Sequence, residues 1–115
     1  MLIVGEFTDI QVAKTATFNG PEWNISAMNQ VPTKFHSFMN VTAVSGATPS
    51  MTVKYQYSYD KVNWVDITSG AFSAATAISV KELNGISTVG GGPWMRYVAT
   101  ISGSFSFNIH LRLVE

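Results

Sequence analysis

The sequence predicts an all-β protein of about eight antiparallel strands, arranged as a two-sheet β-sandwich or jelly roll. Three observations predict this fold class. Apolar and polar residues alternate with period two in several runs, turn-forming residues recur every 8–14 positions, and no stretch has a convincing helical period. With 115 residues the chain has the length of one domain, spanning 1–115.

The N-terminal half predicts four strands. The first covers 8–18 and carries apolar residues on one side: Ile10, Val12, Ala16 and Phe18. Asn19-Gly20-Pro21 ends it, and a short strand is expected at 23–27. A third strand near 35–45 is marked by Phe35, Met39, Val41 and Ala43. Ser45-Gly46 and Pro49-Ser50 then separate it from a strand at 51–59.

The C-terminal half predicts two hairpins and one further strand. The first hairpin joins 51–59, whose one face is Met51, Val53, Tyr55, Tyr57 and Tyr59, to a strand starting at 64–67. A strand near 71–81 follows, marked by Phe72, Ala74, Ile78 and Val80. The second hairpin joins 95–101 to 104–113 through Ser102-Gly103, since both runs alternate with period two.

Composition excludes several classes of function. Seven basic and seven acidic residues cancel, so nothing in the charge attracts phosphate backbones or anionic lipid. Charged residues make up 12% of the chain, against about a quarter in an average domain. The opening apolar run 1–4 is too short for a signal peptide or a membrane span. We therefore expect no nucleic-acid partner, no membrane partner, and folding in a cytoplasm.

No constellation of residues predicts catalysis, a cofactor or a metal. The chain has no cysteine, and its two histidines, His36 and His110, stand in no zinc-binding spacing. Asp60 is expected to hold the 60–63 turn through its side chain. An enzyme would need Asp66, His36 or His110 to converge in a pocket, so the sequence predicts a protein that is not an enzyme.

Tryptophans beside turns are the candidate contact residues. Trp23 follows Pro21 and Trp94 follows Pro93, and exposed tryptophans on loops can stack on sugars or anchor a protein partner. The alternative is that both close the ends of the core. Trp64 is expected to line the core with the neighbouring tyrosines.

Two short motifs resemble those of discoidin-like, galactose-binding-type jelly rolls. The stretch 57–64, Tyr-Ser-Tyr-Asp-Lys-Val-Asn-Trp, resembles their "YS-x-DG-x-x-W" hairpin, with Lys61 where that family has glycine. The stretch 93–98 resembles their "ARYVR" strand. The resemblance implies a jelly-roll fold class and carries over no ligand residues.

In general character the chain is similar to small virion proteins of tailed bacteriophages, which are often cysteine-free, signal-free β domains. This resemblance implies a capsid decoration protein or a tail module. Together with the low charge, it favours a non-catalytic structural protein of the virion that self-associates or docks on a protein lattice. Residues 1–8, which lack a predicted partner strand, could be a docking arm. A carbohydrate-binding module that uses Trp23 and Trp94 is the alternative.

Overall fold

The computed structural model describes residues 3–26, 32–88 and 92–115, which form seven strands in one antiparallel sheet. The strands are β1 (Ile3–Lys14), β2 (Phe18–Asn19), β3 (Trp23–Asn24), β4 (Lys34–Ser58), β5 (Trp64–Ala71), β6 (Ser79–Ser87) and β7 (Trp94–Val114). The all-β, antiparallel prediction is confirmed. Residue 27, the end of the strand predicted at 23–27, lies outside the described residues.

Two long strands, β4 and β7, organise the sheet. They pair from Lys34 opposite Val114 to Ser58 opposite Trp94. The predicted hairpin over 95–113 is therefore wrong, because Ser102-Gly103 lies inside β7 and both of its flanks pair with β4. The predicted break at 45–50 is likewise an irregularity within β4, where four residues, 46–49, lie opposite Gly103.

The sheet bends at this irregularity and packs onto itself. The first half contains β1, the C-terminal part of β7, the N-terminal part of β4, and β6; the second contains β2 and β3, the rest of β7 and β4, and β5. Rings from the two halves meet in the core, with Phe35 5.0 Å from Tyr55 and Tyr97 6.2 Å from Phe107 between centroids. The structure corrects the predicted two-sheet sandwich of about eight strands, because the described residues form seven strands of one continuous sheet.

Two polar contacts cross the core between the halves. The Ser37 hydroxyl of β4 lies 2.6 Å from the Tyr55 hydroxyl and donates to the His110 carbonyl at 2.8 Å. The Tyr97 hydroxyl donates to the Asp9 carboxylate of β1. Both tyrosine side chains are fully buried. Burial is the largest of the effects that raise the pKa of each phenol above its ordinary value.

The described part of the predicted docking arm is a strand of this chain's own sheet. From Ile3 onward it belongs to β1, which pairs with β7 from Ile3 opposite Val114 to Lys14 opposite Phe105. Residues 1 and 2 lie outside the described residues. Gly5 takes an inward position opposite Leu113, so the alternation of apolar residues in this segment is interrupted.

All named elements within 3–26, 32–88 and 92–115 are strands, and these residues contain no helix that could span a membrane.

Candidate functional site

The C-terminal part of β1 has an inverted amphipathic pattern, whereas Phe7 earlier in the strand packs on the core. Asp9 and Gln11 pair with Ile109 and Phe107, whose side chains are buried, so their side chains face inward. Ile10 and Val12 are each 71% exposed. The sequence predicted Ile10 and Val12 on the same side as Phe18, which packs on the core. That expectation is wrong because Asp9 takes the inward position to accept the hydrogen bond of Tyr97.

The opposite edge of the same half repeats this inversion at the start of β6, whereas Leu83 and Ile86 later in that strand pack on the core. Val80, in β6, pairs with Asn40 and is 67% exposed. Ile78, just before β6, is 69% exposed, whereas Phe72 is buried. The predicted strand at 71–81 is therefore two separate segments, and its apolar residues do not share a face. Both edge strands of the first half turn apolar side chains to the outside.

These side chains lie on one surface, called here the outer apolar face, built from two neighbouring rungs of four residues. The register across β1, β7, β4 and β6 gives the first rung as Ile10, Asn108, Asn40 and Val80. The second rung, two residues along each strand, is Thr8, His110, Phe38 and Glu82. Of nine large apolar side chains described as exposed, five lie on or beside this face: Ile10, Val12, Phe38, Ile78 and Val80.

An aromatic pair forms the centre of the second rung. The Phe38 and His110 rings are stacked, with centroids 5.2 Å apart and planes inclined by 16°. Phe38 is nevertheless 48% exposed. The pair therefore presents a broad, weakly hydrated surface to any partner that covers it.

Charged and polar groups border the outer apolar face at one end. Arg112 donates from Nε to Glu6 Oε1 at 2.9 Å, and the second Glu6 oxygen lies 3.9 Å from His110 Nε2. His36 accepts the Gly85 N–H at Nδ1 over 3.0 Å. A shallow cavity of about 280 Å³ is lined by His36, Phe38, Glu82, Asn84, His110 and Arg112.

The two candidate histidines are thus brought together, but Asp66 is not with them. Asp66 accepts from Gln56 at 2.8 Å and from Lys54 at 3.1 Å on the second half of the sheet. These two hydrogen bonds hold the pKa of Asp66 below its ordinary value. Within the described residues, no group of three His, Asp or Glu side chains could hold a metal ion.

The two predicted tryptophans project from opposite faces of the sheet. Trp23 pairs with Met95, whose side chain is buried, and stacks on Phe7 with ring centroids 5.1 Å apart. Trp94 is the next residue along β7 and therefore points outward, with the Lys61 ammonium 4.3 Å from its ring centroid. They cannot form one stacking platform.

Two aromatic residues that were expected in the core lie outside it: Tyr59 is 69% exposed, and Trp64 faces the outer surface. Trp64 pairs with Ser58 from the side opposite Trp94, and the Arg96 guanidinium covers its ring at 4.1 Å. Arg96 donates to Gln56 at 3.0 Å, which places all of these side chains on the outer surface of the second half. The alternation of side chains along β5 indicates this outward position, because Trp64 and Asp66 must share a face of the strand.

The hairpin turn behaves as the sequence predicted. Asp60 Oδ1 accepts the backbone N–H groups of Val62 and Asn63 at 2.9 and 2.8 Å, and these bonds hold its pKa well below the ordinary range. Lys61 has a φ of 64°, in the region that favours glycine. The turn therefore stores strain at the position where the discoidin-like motif has glycine.

A larger cleft of about 440 Å³ lies between the edges of β5 and β6 and includes Tyr57, Asp66, Thr68 and Ser69. It contains neither histidine. The two histidines and Asp66 therefore lie on two separate surfaces.

Comparison with known proteins supplies a fold and no family. No protein-family model matches the chain, and no curated protein matches it. Among solved structures, it is similar to the SPBc2 prophage-derived protein YomS, with 12% identity, a TM-score of 0.51, and coverage of 97% of this chain and 96% of that one. It also matches PirA, with 12% identity, a TM-score of 0.48, and coverage of 93% and 83%. These matches do not show the discoidin-like resemblance.

Proposed function

We propose that this protein is a non-catalytic structural component of a virion, a capsid decoration protein or a tail module, that associates with protein through the outer apolar face. The observation that supports this proposal is a local inversion in the two edge strands, which exposes Ile10 and Val80 while Asp9 lies inward. A strand that serves only its own core places the apolar residues inside.

Burial of this face would be favourable because little desolvation of charge opposes it. Burying apolar surface stabilises by about 25 cal/mol per Å². Glu82 is the only formally charged residue in the two rungs, and Asn40 and Asn108 offer hydrogen bonds to a partner. Interface cores in general are depleted of charged residues, and so is this surface.

The assignment to a virion draws on two further points. The chain resembles small bacteriophage virion proteins in character, and it shares its fold with a protein of prophage origin. With so few charged groups, neighbouring copies on a lattice would repel one another little. The proposed localisation is therefore the virion, and the partners are copies of this chain and other virion proteins.

Light scattering across a dilution series tests the proposal. We expect the mass of the wild-type protein to rise with concentration, and Phe38→Ser to reduce that rise. Val62→Ser is the matched control, because Val62 is 78% exposed but lies in the hairpin turn. A wild-type protein that stays monomeric at high concentration and binds no capsid or tail particle would contradict the proposal.

Sugar binding is a second candidate, supported by the outward tryptophans Trp64 and Trp94, which flank Ser58 on one surface. Each ring has one face covered by a cation, so a sugar would stack on the other face or displace the cation. Quenching of tryptophan fluorescence by a glycan panel tests this candidate. Absence of any response would remove it.

A further inference from the structure

We infer that the outer apolar face pairs with the same face of a second copy, about a twofold axis that runs along the strands between β4 and β7. This inference rests on the proposed function and names its partner and geometry. A twofold interface uses one patch on both subunits, so the patch must be complementary to itself. The two rungs meet this condition.

Rotation about the proposed axis places complementary residues of the first rung opposite each other. The proposed axis places β1 over β6 of the partner and β7 over its β4. Ile10 then lies opposite the partner's Val80, and Asn108 lies opposite the partner's Asn40. Apolar side chains meet apolar side chains at both margins, and the central amides can exchange hydrogen bonds.

The second rung matches in the same way. Phe38 lies opposite the partner's His110, so two stacked ring pairs meet at the centre. Glu82 lies opposite the partner's Thr8, whose hydroxyl can donate to the carboxylate. The bordering Arg112 already has Glu6 at 2.9 Å, which leaves little unbalanced charge at this end.

An axis perpendicular to the strands is less favourable. If that axis passed through the first rung, each strand would lie over the same strand of the partner. The second rung would then lie opposite the partner's residues near Val12 and Ile78. Glu82 would then face the partner's Ile78, and a carboxylate would be desolvated without a donor. The two geometries also place different residues opposite each other, which makes them distinguishable by experiment.

The size of the face predicts a weak dimer. With one bordering rung included on each side of the two rungs, the contact covers four strands about 4.8 Å apart and roughly eight residues of about 3.3 Å along each strand, which is about 19 by 26 Å. That is about 500 Å² per subunit and about 1,000 Å² in total, at the lower limit of specific interfaces. Sheets that pack aligned face to face provide the geometric precedent.

Cysteine cross-linking tests the axis directly, because the natural chain contains no cysteine. Ile10→Cys and Val80→Cys are made as separate proteins, and circular dichroism confirms that each folds. Under the proposed axis a short bismaleimide joins the two proteins when they are mixed. Neither alone gives a covalent dimer, since residues 10 of the two subunits lie about three strand spacings, roughly 14 Å, apart across the face.

The outcomes separate this inference from the proposed function. A covalent dimer in the mixture, lost in each single protein and in a mixture of Val62→Cys with Val80→Cys, supports the axis. Strong cross-linking of Ile10→Cys alone overturns it in favour of the perpendicular axis. Oligomers in light scattering without any cross-link at residues 10 and 80 overturn the inference but leave the proposed function standing. A strictly monomeric wild-type protein that still binds virion particles would likewise overturn the inference and leave the proposed function standing.

Discussion

The buried hydroxyl pair Ser37 and Tyr55 gives a prediction whose sign depends on hydrogen-bond direction. Ser37 has one hydroxyl proton, and it donates that proton to the His110 carbonyl at 2.8 Å. The Tyr55 hydroxyl, 2.6 Å from Ser37 Oγ, must therefore be the donor to Ser37. Both side chains are buried, so neither hydroxyl has water as an alternative partner.

The direction makes the two single substitutions unequal. Tyr55→Phe removes a donor and leaves the Ser37 bond to His110 intact, so it should cost about 1 kcal/mol of unfolding free energy. Ser37→Ala leaves the Tyr55 hydroxyl buried without an acceptor, and such a group costs about 1–3 kcal/mol. The double variant removes both hydroxyls and should be at least as stable as Ser37→Ala alone.

Urea unfolding of the four proteins, monitored by tryptophan fluorescence, measures this cycle. We expect a coupling energy of about 1 kcal/mol or more between the two sites, in the sense that Tyr55→Phe is neutral or stabilising when residue 37 is alanine. Additive costs, or a Tyr55→Phe that costs more than Ser37→Ala, would refute the assigned direction.

Three further predictions follow from the fold. Because burial in the folded state raises the pKa of Tyr55 and Tyr97, the contribution of the two neutral phenols to the unfolding free energy is fully present below their ordinary pKa of about 10. It falls above that pH by up to about 1.4 kcal/mol per pH unit for each phenol, and Tyr97→Phe should reduce the slope in urea titrations at pH 9–12. A Cβ at Gly92 would lie 2.3 Å from the Ser58 carbonyl oxygen, so Gly92→Ala should lower the unfolding free energy by roughly 1–3 kcal/mol in the same assay; an unchanged value would contradict this contact. Since turn N–H groups lower the pKa of Asp60, its stabilising contribution is present above pH of about 4 and lost as the pH falls through its lowered pKa. An NMR titration should place the Asp60 midpoint well below that of an ordinary aspartate, and an ordinary midpoint would contradict the turn geometry.

Local patterns predicted most of the strand segments but not where two successive segments form one long strand. The alternation over 105–113 correctly marked a strand, and the 60–63 turn lies where its residues indicated. Ser102-Gly103 was expected to form the turn of a hairpin. Gly103 has a φ of 88°, and a glycine with positive φ is equally suited to a turn and to an irregularity inside a strand. Only the long-range pairing with β4 distinguishes the two.

The candidate surface was hidden for a related reason. Alternation shows that Ile10 and Val12 share a face, but it does not show which face is inside. The side is decided by Asp9 and Tyr97, which are distant in sequence and meet only in the folded core. Trp64 was assigned to the core on residue type alone, although its pairing with Ser58 turns it toward Arg96.

The concentration dependence of the melting temperature shows whether a second protein molecule covers the outer apolar face. Association stabilises the native state by mass action, so the wild-type melting temperature should rise as the protein is concentrated a hundredfold. Val80→Lys, which places a charge on the face at a position that is 67% exposed, should abolish that rise, while Val62→Lys should preserve it. A melting temperature that is the same at every concentration for all three proteins would contradict the claim for self-association.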